Sequence, residues 1–136
     1  MSKLQIFTDG GSRGNPGPAA CAFIVRDVTN KTVYQRGFRL GITTNNVAEY
    51  TAVLKSLEWI SPNAEVSFYM DSLLVVSQLK GIYKIKDQKL KNISKQILSK
   101  IKNLKLKISF VHIPREQNTA ADLLVNQTLD AERENE

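Results

Sequence analysis

The stretch Ile6-Phe7-Thr8-Asp9-Gly10-Gly11-Ser12-Arg13-Gly14-Asn15-Pro16-Gly17-Pro18 constrains this chain more than any other. An apolar, β-prone run delivers one carboxylate, Asp9, where a buried strand surfaces, and a glycine- and proline-rich loop is expected directly after it. Gly10, Gly11 and Gly14 carry no Cβ, so the backbone is free to take positive φ and bring its N–H groups toward a phosphate. A solvated aspartate in an ordinary tight turn has the same local composition. The acids further along the chain decide between these readings.

Two β-like runs follow, Ala20 to Arg26 and Thr32 to Leu40, joined by Asp27 to Lys31. They predict a hairpin, with Leu4 to Thr8 as a third antiparallel partner. Thr43-Thr44-Asn45-Asn46 supplies capping side chains, and Val47, Tyr50, Leu54 and Leu57 then recur at helical spacing until Ser61-Pro62. Val66 to Met70 is a further strand, ending like the first in an acid, Asp71. A short helix breaks at Gly81. Leu90, Ile93, Ile97, Ile101 and Leu104 give the next helical period, Leu106 to Ile113 a last strand, and Asn118 to about Leu129 a last helix, with a polar tail from Asp130 to Glu136. The order β-β-β-α-β-α-α-β-α predicts an α/β domain with a five-stranded mixed sheet, a three-stranded antiparallel meander plus two parallel strands, flanked by helices. With 136 residues and no linker or repeat, one domain over 1–136 is expected.

One cysteine and one histidine exclude an internal disulfide and a Cys/His zinc cluster, so any metal must be a hard, oxygen-ligated ion. The chain opens without an apolar leader pattern, and a cytoplasmic protein is expected. No feature calls for a membrane or an obligate protein partner, and a monomer is expected. The net charge of +6 is concentrated. Between Lys84 and Lys107 nine lysines face the single acid Asp87, leaving the rest of the chain near neutral. Such a segment suits a polyanion, with Lys86 and Lys89 as candidate contacts, although lysine-rich solvated faces are also common.

Two strands ending in Asp9 and Asp71, a helix opening near Glu49 and a last helix bearing Asp122 put four acids where α/β sheets gather their ligands. Converging carboxylates repel unless a divalent cation lies between them. Magnesium, which prefers carboxylate oxygens, is the natural occupant, and two such ions would suit an in-line displacement at phosphorus.

Thr8-Asp9-Gly10-Gly11-Ser12 with Gly14-Asn15-Pro16-Gly17-Pro18, Thr44-Asn45-Asn46-Val47-Ala48-Glu49-Tyr50, Asp71-Ser72, and Pro114-Arg115-Glu116-Gln117-Asn118 with Ala121-Asp122 resemble, in order, the motifs of type 1 ribonuclease H. The resemblance runs from Leu4 to about Asn126. It implies hydrolysis of the RNA strand of RNA/DNA hybrids, leaving 5′-phosphate and 3′-hydroxyl ends, with Mg²⁺ or Mn²⁺. It also implies that Asp9, Glu49, Asp71 and Asp122 are the catalytic metal-binding acids. Gly10, Gly11, Ser12, Arg13, Gly14 and Asn15, with Thr44, Asn45 and Asn46, match segments that touch the hybrid, which is read through backbone and minor-groove contacts. Asn45 and Asn46 equally suit helix capping.

Three departures stand out. Leu73 occupies a position where many relatives carry Gln, and Lys80 to Lys86 passes to the next helix without the basic protrusion that several relatives insert. The family's assisting histidine is the third. His112 lies in the run Ile108 to Ile113, sharing a strand face with Ile108 and Phe110, and is expected to be pinned in the sheet. Arg115, just past Pro114, is the first residue free to reach the carboxylates, and some relatives with this short loop place arginine there.

Three rivals have distinct signatures. A P-loop phosphotransferase lacks its Gly-Lys-Ser/Thr here. A weak or inactive binding module of the same fold has no need of four acids. A related metal-dependent nuclease acting on DNA differs only in substrate.

Overall fold

The computed structural model describes residues 3–134, and side chains through residue 131. Its element order is β1 (Lys3–Ser12), β2 (Gly17–Arg26), β3 (Thr32–Thr43), α1 (Asn45–Trp59), β4 (Glu65–Met70), α2 (Leu73–Leu79), α3 (Gln88–Asn103), β5 (Lys107–His112) and α4 (Thr119–Glu134), with a 3-10 turn over Arg115–Gln117 before α4. The five strands form one sheet in the order β3-β2-β1-β4-β5. β1, β2 and β3 pair antiparallel, while β4 runs parallel to both β1 and β5. The expected mixed sheet is therefore present.

Helices cover both faces of this sheet. A Cβ on Gly10 would overlap the backbone of Ala48 in α1, whereas one on Gly11 would meet Val125 of α4. Successive strand residues point to opposite faces, so α1 and α4 lie on opposite sides of β1. On the α1 side the main core gathers Ile6, Phe23, Tyr50, Val53, Leu57, Val66, Phe68, Val75 and Ile97. On the α4 side the packing is thinner: Ala20 and Ala22 admit Val125 and Leu129. Helix starts follow local chemistry, since Thr44, Ser72 and Asp87 each accept a hydrogen bond from an N–H in the first turn of α1, α2 and α3. Trp59 stacks on Tyr34 at 5.0 Å between ring centroids, closing the end of α1 over the sheet.

Three expectations are corrected. The glycine stretch after Asp9 is not a loop at first: β1 continues to Ser12, with Gly10, Gly11 and Ser12 paired to Cys21, Ala20 and Ala19 of β2. Of the three glycines only Gly14 takes positive φ, at 96°. Gly10 is needed for a different reason, the close approach of α1. The last helix also runs on through Glu134 where a tail was expected from Asp130; residues 135 and 136 lie outside the described residues. His112 closes β5 opposite Met70, but its side chain is exposed at the strand's end.

Gly10→Ala is a direct test of the α1 contact. The added methyl has only backbone to displace, so the variant should lose about 2 kcal/mol or more of stability, toward the upper part of the usual overpacking range, read from denaturant unfolding. A loss under about 0.5 kcal/mol would mean that α1 does not sit this close to β1.

Candidate metal centre and nucleic-acid groove

β1 and β4 stay in register only as far as Phe7 and Tyr69. Beyond that point the chains part, and Asp9 and Asp71 emerge at neighbouring positions at the carboxyl end of β4. Glu49 reaches the same point from α1, carried in by the contact at Gly10. One carboxylate oxygen each from Asp9, Glu49 and Asp71 lies within 4.8 Å of the others, and all three residues are partly buried. Asp122, in the first turn of α4, is outside that cluster but lines the same cavity of about 470 Å³, as does Arg115.

The electrostatics record the crowding. The Asp9 carboxyl is pushed up to about 8, first by burial and then by Asp71, Asp122 and Glu49. Glu49 is raised to about 7, by burial first and then by Asp71, against a hydrogen bond with Ser72 and the positive charge of Arg115. The donor set is all oxygen and, once ionised, strongly anionic, which fits a hard divalent cation and no soft one. This arrangement marks dependence on a divalent metal.

Those raised values predict a pH dependence with a definite sign. A carboxyl that holds its proton more tightly when folded makes the folded state bind more protons than the unfolded one, so stability falls as pH rises. The window runs from the ordinary carboxylate range, about 4, up to the values of about 7 and 8, and stability is level beyond it. In EDTA the Tm should fall across that window, and a divalent cation should restore it most at pH 8, where the acids are ionised. An EDTA profile that rises between pH 5 and 8 would contradict the crowding.

Several polar side chains hold the acids in place. Asn118 is buried and donates from Nδ2 to the Thr8 carbonyl at 2.9 Å and to Asp71 Oδ2 at 3.3 Å. Ser72 caps α2 through its hydroxyl and also bonds Glu49. Both lie in the motifs that carry the resemblance, but neither is among the site residues it implies, although a Ser between an acid and a helix start is a legible capping signal.

The remaining candidates divide between two concavities. Gly10, Gly11, Ser12, Arg13, Asn45 and Asn46 line the acidic cavity. Asn15, Thr44, Asn46 and Lys89 line an adjoining one of about 410 Å³, so Asn46 belongs to both. Gly14 and Lys86 line neither. Of the two readings open for this segment, capping falls to Thr44, whose hydroxyl accepts from Val47 N–H. Asn45 instead ties the β1–β2 hairpin to α1: its Oδ1 accepts from Ser12 N–H at 2.8 Å and from the Ser12 hydroxyl at 3.0 Å, and its own N–H donates to Asn15 Oδ1. Arg13 is held by Asp130 of α4 at 2.7 Å. His112 is absent from the lining of both concavities.

A family model described as "Reverse transcriptase-like" matches residues 7–128. LC11-RNase H1, isolated from compost by a metagenomic approach, is 41% identical and superposes with a TM-score of 0.89 over 96% of this chain and 98% of its own. The chain belongs to the type 1 ribonuclease H family. RNase H1 from the archaeon Halobacterium salinarum gives a TM-score of 0.88 at 32% identity, covering 95% of this chain and 98% of that one. A bifunctional protein of Mycobacterium tuberculosis is 38% identical over 132 residues, covering 95% of this chain. This ribonuclease H chain spans only 36% of that mycobacterial protein. Among the described residues no helix is long and apolar enough to cross a membrane.

Proposed function

We propose that the chain is an endoribonuclease that hydrolyses the RNA strand of RNA/DNA hybrids, leaving 5′-phosphate and 3′-hydroxyl ends. The observation that carries this reading is the convergence of Asp9, Glu49 and Asp71 within 4.8 Å, on the scaffold of a family in which LC11-RNase H1 has been solved with an RNA/DNA hybrid.

In this reading Asp9, Glu49, Asp71 and Asp122 hold two Mg²⁺ ions, with Mn²⁺ as a substitute. Held by these acids, the metal would polarise the phosphate and lower the pKa of a water so that it could attack as hydroxide. The chain's own groups do the positioning. Asn118 fixes Asp71 against the strand end, Ser72 fixes Glu49, and Arg115 offers charge-assisted hydrogen bonds to the scissile or product phosphate. The hybrid lies along the two concavities, across Asn46, with Ser12, Asn45 and Asn15 presenting polar groups to the backbones and minor groove. Lys86 and Lys89 add attraction for phosphates without reading sequence.

The test is a comparison of initial cleavage rates on a labelled RNA/DNA hybrid, an RNA duplex and a DNA duplex of one sequence. Cleavage confined to the hybrid, or strongly favouring it, is expected. Preferential cutting of the DNA duplex would instead support a DNA-directed nuclease of the same fold.

A further inference from the structure

The outer face of α3 carries a charge pattern that the groove does not use. Lys91, Lys95, Leu98 and Lys102 fall at i, i+4, i+7 and i+11, hence on one stripe of the helix, and all four are exposed. Lys105 and Lys107 continue the exposed lysines past the helix end. A helix face laced by its own salt bridges alternates in sign, and α3 contains no acid. The nearest acid, Asp87, is committed to capping the helix through the Leu90 N–H, and Glu65, opposite Lys107 in the sheet, pairs with Lys3. Among the described residues none of the stripe lysines has an acidic partner. Like charges at i, i+4 disfavour the isolated helix, so this face is complementary to an external polyanion. Leu98, 54% exposed in the middle of it, adds an apolar contact.

The stripe's direction matters. Lys89 and Leu90, at the start of α3, border the concavity that holds Asn15 and Thr44. At the other end, Lys107 pairs with Glu65 at the start of β4, opposite to the end from which Asp71 emerges. The lysines thus lead from the groove toward the far pole of the sheet. From Lys91 to Lys102 the helix rises about 17 Å, the length of roughly five base pairs at 3.4 Å each.

We infer that this stripe is a second nucleic-acid contact surface, which binds the sugar–phosphate backbone of duplex outside the stretch being cut. It rests on the hybrid as substrate, but binding and cleavage are separable. The test compares the wild type with a Lys91→Gln/Lys95→Gln/Lys102→Gln/Lys105→Gln variant. Affinity for a hybrid of about 24 base pairs, far longer than the stripe, is measured in EDTA across a salt series, and kcat is measured with Mg²⁺ at saturating hybrid. The variant should bind at least about tenfold more weakly near physiological salt, and its log–log salt slope should be shallower by up to about 3.6, or 0.9 for each of four phosphates no longer neutralised. Its kcat should be unchanged. Leu98→Ser should weaken binding a few-fold at unchanged salt slope. Unaltered affinity and slope in the quadruple variant would overturn the inference. So would loss of binding to poly-glutamate with duplex binding intact, since the face would then serve an acidic protein. If the quadruple variant misfolds, Lys95→Gln/Lys102→Gln reads the same slope, with a change of about half the size. A wild type that binds duplex through these lysines but leaves the hybrid uncut would defeat the catalytic reading alone.

Discussion

Asp9→Asn and Asp71→Asn should each lower hydrolysis of an RNA/DNA hybrid at least about 100-fold, a loss of about 2.7 kcal/mol of transition-state stabilisation, while the protein stays folded. Each substitution keeps the side chain's shape and removes one negative ligand from a cluster of three whose oxygens lie within 4.8 Å. The same change relieves repulsion. Asp9 is the acid most crowded by its neighbours, with its carboxyl at about 8, so Asp9→Asn should raise the Tm of the metal-free protein by several degrees, on a scale of about 4 °C per kcal/mol, and flatten its fall with pH. Activity and stability should therefore move in opposite directions. Folded variants retaining more than a few per cent of wild-type turnover would show that these acids are not the metal ligands.

Arg115→Ala should lower kcat at least about tenfold, or about 1.4 kcal/mol, and His112→Gln should leave it within a few-fold. Arg115 begins the turn before α4, lines the acidic cavity, and its charge already lowers the Glu49 pKa. Arginine keeps its proton at any pH near neutrality, so it serves by holding a phosphate rather than by moving a proton. The Arg115→Ala loss should accordingly persist at pH 9, where Glu49 is ionised with or without its neighbour's charge. His112 ends β5 with its side chain exposed and outside both concavities, although the backbone N–H of the next residue, Ile113, donates to Met70 just before Asp71. If His112→Gln cost more than Arg115→Ala, and its effect titrated near neutral pH, the histidine would be the catalytic partner.

The sheet and the order of its elements were legible because each rests on a local period: alternation in the strands, three-to-four spacing in the helices, a capping Thr, Ser or Asp at each of the first three helix starts. Asp71 was legible because it follows directly on β4, and Asp9 because the apolar run of β1 stops there, although β1 itself continues to Ser12. Contacts between distant segments were not. Nothing local in Asp9-Gly10-Gly11-Ser12 distinguishes a phosphate loop from a strand whose glycine makes room for a helix, since Gly10 answers to Ala48. Arg13 and Asp130 are separated by most of the chain and meet only because α4 crosses the sheet beside the hairpin. Alternation placed His112 on the core face, but it says nothing about where covering elements stop. Asn118 gives no periodic signal, and its two acceptors lie on β1 and just past the end of β4.

The most direct measurement uses a hybrid with both strands end-labelled, incubated with wild-type protein in Mg²⁺ and in EDTA, with the fragment ends identified. A metal centre on these acids predicts internal cuts in the RNA strand only, with 5′-phosphate and 3′-hydroxyl ends, in Mg²⁺ and not in EDTA. Undiminished cutting in EDTA, 2′,3′-cyclic phosphate ends, or cuts in the DNA strand would contradict it.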